Sequence, residues 1–197
     1  KAAAEATADG AMYNTGQSCC SVERIYVHEK VYDEFMRHFK ATVESFKLGD
    51  PENNETYIGA LTRGKLALDF LKGQIDDAVA KGGRIVCGGA QANTASGIYL
   101  APTVVEQANH EMAIMREESF GPVIGIMKVK DDGEAQKLMN DTEYGLTAAV
   151  YCRDQMRAKK ILSGVNAGSA YINCCDRVSP RLPWSGRGVS GVGLTLS

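Results

Sequence analysis

Between residues 31 and 46, apolar side chains recur at helical intervals: Val31, Phe35, Phe39, Val43 and Phe46 follow one another after three or four positions. That spacing stacks them on one face of a helix, which Gly49-Asp50-Pro51 ends. Leu68, Leu71, Ile75 and Val79 predict the buried face of a second long helix, closed by Gly82-Gly83. The Ala-rich opening "KAAAEATADGAMY" predicts a helix that breaks near Asn14, where Thr15-Gly16 interrupts it. Short apolar runs read as strands: "RIYV" at 24–27, "RIVCGG" as a brief buried strand, and "PVIGIMKV". From about 88 to 122, Asn, Gly and Pro punctuate short extended pieces. Beyond it the pattern resumes as "GEAQKLMND" (helix), "LTAAVYC" (strand), "RDQMRAKKILSG" (helix) and "SAYIN" (strand). Strands alternating with short helices are the sequence form of βαβ units. The expected fold class is therefore α/β, a mostly parallel sheet flanked by helices, in one domain over 1–197.

Composition narrows the function classes. With 44% apolar residues, 23% charged residues and a net charge of −2, nothing marks a surface for nucleic acid or an anionic membrane. No apolar run approaches the ~20 residues that span a bilayer, and no signal-peptide pattern opens the chain, so a cytoplasmic location is expected. Six cysteines include the neighbours Cys19–Cys20 and Cys174–Cys175, with no CxxC spacing. Reduced thiols fit better than disulfides. Three scattered histidines give no metal-ligand periodicity, so no metal is expected.

Several motifs lead nowhere. "GRGVSG" at 186–191 matches GxGxxG in letters, but its context is not that of a dinucleotide fingerprint, which sits directly after a strand and opens a helix, and a flexible or tightly turning loop is expected. "HEMAIM" lacks the second histidine of HExxH, and the sequons at Asn54 and Asn140 are incidental without a secretory signal. Two segments carry more. "REESFGP" at 116–122 sets paired carboxylates and an aromatic at the entry to an apolar strand. A carboxylate there can bind sugar hydroxyls and an aromatic can pack on a planar ring, although a solvated Glu pair with Phe120 in the core fits the segment better by itself. "NTGQSCCSVER" at 14–24 joins a glycine turn to two thiols. A turn that exposes a thiol and nearby N–H groups suits a nucleophile with oxyanion stabilisation; two small residues packed behind a strand suit it equally. These considerations do not choose between Cys19 and Cys20.

"NTGQSCCSVERIYV" resembles the nucleophile segment of the NAD(P)-dependent aldehyde dehydrogenase superfamily, whose reactive cysteine lies two positions after Gly-Gln. Further segments resemble that family in its order: "KLGDP", "GIYLAPTVV", "EESFGPV", "EYGLTAAVY", and "GSAYIN" followed by "LPWSGRGVSGVG". The resemblance implies the fold of the family's catalytic domain and selects Cys19 as nucleophile. It implies Glu118 as the ligand of the nicotinamide ribose, Phe120 as the aromatic beside the nicotinamide, and Asn173 as a residue near the active site.

In the family mechanism the thiolate attacks an aldehyde, the cysteine's own N–H helps hold the oxyanion, hydride passes to NAD or NADP, and water cleaves the thioester. The resemblance also implies what this chain lacks: a preceding cofactor-binding domain with an oxyanion Asn and a glutamate base, and a C-terminal tail that helps assemble a homo-oligomer. A catalytic-domain fragment, inactive by itself as a dehydrogenase, is the expectation. Two other classes remain: a cysteine acyltransferase or hydrolase using a histidine partner, and a non-catalytic assembly fragment whose partner is the missing domain. In "CCDRVSPRL", at the position of the family's aldehyde channel, Arg177 or Arg181 would suit a substrate carboxylate, with surface arginines the commoner case. Neither the aldehyde nor the choice of NAD over NADP is legible.

Overall fold

The computed structural model describes residues 1–94, 97–175 and 178–196. The chain forms two compact units, 1–128 and 129–197. In the first, α1 (Ala2–Met12), α2 (Tyr32–Ser45) and α3 (Gly64–Ala80) accompany β1 (Arg24–His28), β2 (Arg84–Cys87), β3 (Gln91–Thr94), β4 (Gly97–Leu100), β5 (Thr103–Glu106) and β6 (Val123–Val129). Four strands make one sheet in the order β1-β6-β5-β2, with β5 and β6 parallel at its centre and β2 antiparallel to β5 at an edge. β3 and β4 form a separate antiparallel pair. The architecture is α/β, as the alternation of strands and helices implies.

Both faces of the sheet are covered, which explains why its central strands read as unbroken apolar runs. Neighbouring residues of one strand point to opposite faces. Val104 and Ile124 join Ala8, Met12, Met36, Phe39 and Val43 of α1 and α2, while Val105 and Val123 join Leu68, Leu71, Ile75 and Ala78 of α3. On α3 the buried arc is centred on Leu71 and Ala78, which leaves Val79, expected in the core, at its edge and 47% exposed. "RIVC" is likewise no buried strand. As an edge strand β2 has one side unpaired, and Arg84 and Ile85 are exposed.

The second unit contains α4 (Asp132–Asn140), β7 (Thr147–Val150), α5 (Gln155–Leu162) and β8 (Ser169–Ile172), with β7 and β8 parallel. Asp131 caps α4 by accepting the Glu134 N–H, and Asp154 caps α5 by accepting from Met156 and Arg157. The Arg157 guanidinium grips both oxygens of Asp132 at 2.6 Å, joining the two helices. "GRGVSG" forms a tight turn in which Gly188 and Gly191 have positive φ and Gly188 bridges to Tyr144.

Candidate active site

The segment that follows α1 is shaped by three consecutive left-handed residues, Asn14, Thr15 and Gly16, with φ of 50°, 60° and 68°. Two of these lack glycine's freedom, so side-chain bonds must hold them. Asn14 Nδ2 donates to the Gln17 carbonyl at 2.8 Å, and Thr15 Oγ1 accepts the Gly59 N–H at 2.8 Å. Gln17 spans the same gap: its Oε1 accepts the Thr62 N–H at 2.8 Å and its Nε2 donates to the Ala60 carbonyl at 3.3 Å. Gly16 has a steric role besides. A Cβ there would lie 2.2 Å from the Gly121 carbonyl oxygen, so the turn presses directly on the Phe-Gly-Pro segment. Gly121 in turn rests on Leu71 of α3, whose methyl would stand 2.5 Å from a Cβ at Gly121. The Gly-Gln pair is thus explained by one close approach and one pair of clamps.

This turn separates the two cysteines. Cys20 is 7% exposed, with Tyr13 Oη 3.0 Å and Ser18 Oγ 3.4 Å from its sulfur. Cys19 is exposed. Its thiol is raised above the usual range first by burial, then by Cys20 and by the negative charge of Glu118; its own backbone N–H pulls the other way. No cation is among these dominant influences. The arrangement presents a protonated thiol beside an amide N–H.

Glu118 and Phe120 come to the same place. Glu118 is close enough for its charge to act on the Cys19 thiol, and it is exposed. Phe120 is 44% exposed rather than buried in the core, and it holds a left-handed φ of 50°. The backbone N–H of Phe120 donates to Glu23 Oε1 at 3.2 Å, and that of Ser119 donates to Glu23 Oε2 at 3.0 Å. Glu23, partly buried ahead of β1, was not singled out in the sequence; a lone acidic residue before a strand gives no signal. Burial pushes its carboxyl up to about 7, with Glu118 adding repulsion, against the two amide donors that lower it.

The remaining candidates belong to later segments of the chain. Asn173, in the second unit, binds the Cys152 peptide at both ends, accepting its N–H at 2.9 Å and donating to its carbonyl at 3.0 Å, which continues the β7–β8 ladder. Arg181 is exposed, and Arg177 lies outside the described residues. Among the described residues, no three His, Cys, Asp or Glu side chains cluster as metal ligands.

Residues 1–197 match the family model described as "Aldehyde dehydrogenase family". The chain is 36% identical over 187 residues to mitochondrial aldehyde dehydrogenase 2 of Saccharomyces cerevisiae, covering 95% of this chain and 36% of that protein. Among solved structures, NAD-dependent aldehyde dehydrogenase from Sinorhizobium meliloti matches with a TM-score of 0.93 and 33% identity, over 98% of this chain and 38% of that one. A cysteine-to-alanine mutant of the indole-3-acetaldehyde dehydrogenase AldA of P. syringae, in complex with NAD+ and IAA, matches with a TM-score of 0.93 and 30% identity, over 98% and 39%. The chain thus spans well under half the length of the relatives it matches. With the motifs in family order and the fold shared throughout, the chain belongs to the aldehyde dehydrogenase family.

Proposed function

We propose that this chain is the nucleophile-bearing part of an NAD(P)-dependent aldehyde dehydrogenase that oxidises an aldehyde to a carboxylic acid, with Cys19 as nucleophile and Glu118 and Phe120 facing the cofactor. The observation that carries the reading is the convergence of an exposed thiol, an exposed carboxylate and an exposed aromatic, from segments about a hundred residues apart, on one close backbone contact. An open aromatic face beside a carboxylate fits a nicotinamide and its ribose, the carboxylate accepting from sugar hydroxyls. The NAD+ in the AldA complex supports that assignment. When bound, the cofactor supplies a hydride acceptor.

The residues of this chain do the rest. Cys19 sulfur, once deprotonated, adds to the carbonyl carbon, and the Cys19 N–H donates to the oxygen that gains the charge. Oxidation leaves a thioester on the sulfur, and hydrolysis releases the acid and restores the thiol. The raised thiol and the absence of a cation among its main influences support an activating base from outside these 197 residues, and with it the reading that the chain alone turns over negligibly. A histidine-assisted hydrolase is disfavoured. His28 accepts the Lys30 N–H, His38 meets Arg37, His110 meets the Tyr26 hydroxyl, and none is a main influence on Cys19.

Brief iodoacetamide treatment followed by peptide mass spectrometry tests the site. Cys19 is expected to label first; Cys87, pushed up to about 11 by burial, is expected to lag. Even labelling of all six thiols would overturn the site assignment, and robust NADH production from a simple aldehyde by the 197-residue chain would overturn the reading that the chain alone turns over negligibly.

A further inference from the structure

We propose that Glu23 is a positioning residue: its carboxylate clamps the main chain of Ser119 and Phe120, and so holds Glu118 and Phe120 in register with the turn that carries Cys19. The inference rests on the reading of these residues as the active site.

Three observations carry it. Each carboxylate oxygen of Glu23 takes one N–H, from Ser119 and from Phe120, so the two bonds fix both the position and the orientation of that peptide pair. Phe120 occupies a left-handed conformation that a non-glycine residue adopts only when its surroundings impose it. Glu23 also stands four positions after Cys19 in one continuous segment. That segment is tied to α1 by the Val22 N–H on the Gly10 carbonyl at 2.9 Å and by Ser21 Oγ on the same carbonyl at 3.1 Å. A displacement of the Ser119–Phe120 pair relative to the thiol therefore has to break the Glu23 bonds. Glu118 precedes the clamped pair, and its charge acts on both Cys19 and Glu23. The clamp thus sets how close that charge stands to the sulfur.

The test uses the 197-residue chain with Glu23→Gln and Glu23→Ala. Glutamine keeps the volume but offers one acceptor oxygen, so it covers the case in which the alanine variant fails to fold. Hydrogen exchange at Ser119 and Phe120 is expected to accelerate at least tenfold at both amides in Glu23→Ala and at one of them in Glu23→Gln. Because Glu118 is then no longer held beside the sulfur, the pH profile of Cys19 alkylation is expected to move to lower pH in both variants. A purely structural residue would leave that profile where it was. Unchanged exchange at both amides in a folded variant, or an unmoved alkylation profile, overturns the proposal. If Cys19 in the unaltered chain is not the fastest-labelling thiol, the active-site reading fails instead, and the exchange rates still decide whether Glu23 clamps the segment.

Discussion

Replacing Gly16 by alanine tests the close approach on which the site is built. Two costs add at this position. A φ of 68° puts an L-residue in the left-handed region, which costs about 1 kcal/mol. The new Cβ would also lie 2.2 Å from the Gly121 oxygen, 2.6 Å from its carbon and 3.1 Å from the Ala11 oxygen, all of them backbone atoms with no side-chain rotation to relieve the overlap. Relief requires about 1 Å of separation between the turn and the Phe-Gly-Pro segment, an overpacking cost of about 2 kcal/mol. Gly82→Ala is the matched control: its φ is 94° and nothing lies within 4 Å of the added methyl. Both variants gain the same unfolded-state contribution from losing a glycine, which cancels between them. Urea unfolding followed by circular dichroism reads mainly the first unit, which holds the three longest helices; the single tryptophan, Trp184, belongs to the other unit and is the wrong probe. Gly16→Ala is expected to lose about 3 kcal/mol and Gly82→Ala about 1 kcal/mol. A difference between the two below about 0.5 kcal/mol, comparable to the extrapolation error, would refute the contact.

Glu23 links stability to pH. Its folded pKa of about 7 exceeds the ordinary 4.5, so between those values the folded state binds the extra proton and stability falls as pH rises, levelling off above about 7. Since the side chain is partly exposed, we expect the unfolding free energy of the unaltered chain relative to Glu23→Gln to drop by about 2 kcal/mol between pH 5 and pH 8. A rise over that interval would show the carboxylate to be stabilised in its charged form. Leu71, fully buried beneath Gly121, should cost about 3 kcal/mol on replacement by alanine in the same urea assay, and a loss under about 1 kcal/mol would show that Gly121 does not depend on that support.

Local pattern was sufficient for the helices and for most strands. The interval from Phe35 through Phe39 to Val43 marks α2 because helical hydrogen bonding and burial of one face are both local, periodic properties. The edge position of β2 and the exposure of Val79 were not legible, because they depend on which neighbours the sheet and core supply. The motifs' resemblance to the family implied Cys19; that Cys19 is exposed while Cys20 is buried against the Tyr13 hydroxyl is seen only in the structure. Phe120 read as a core residue by its letter alone, whereas the structure leaves it 44% exposed on a left-handed backbone.

Glu23 marks the boundary most clearly. Its partners lie 96 and 97 residues further along the chain, and a single carboxylate between a valine and an arginine has no periodicity to betray them. The sequence by itself determined most of the elements, since their periodicity is local, and its motifs carried the resemblance that implied the family and Cys19 as nucleophile. Tertiary structure alone decided which backbone groups meet, because a two-point clamp and a glycine-to-carbonyl contact exist only once the sheet has brought distant segments within hydrogen-bonding distance.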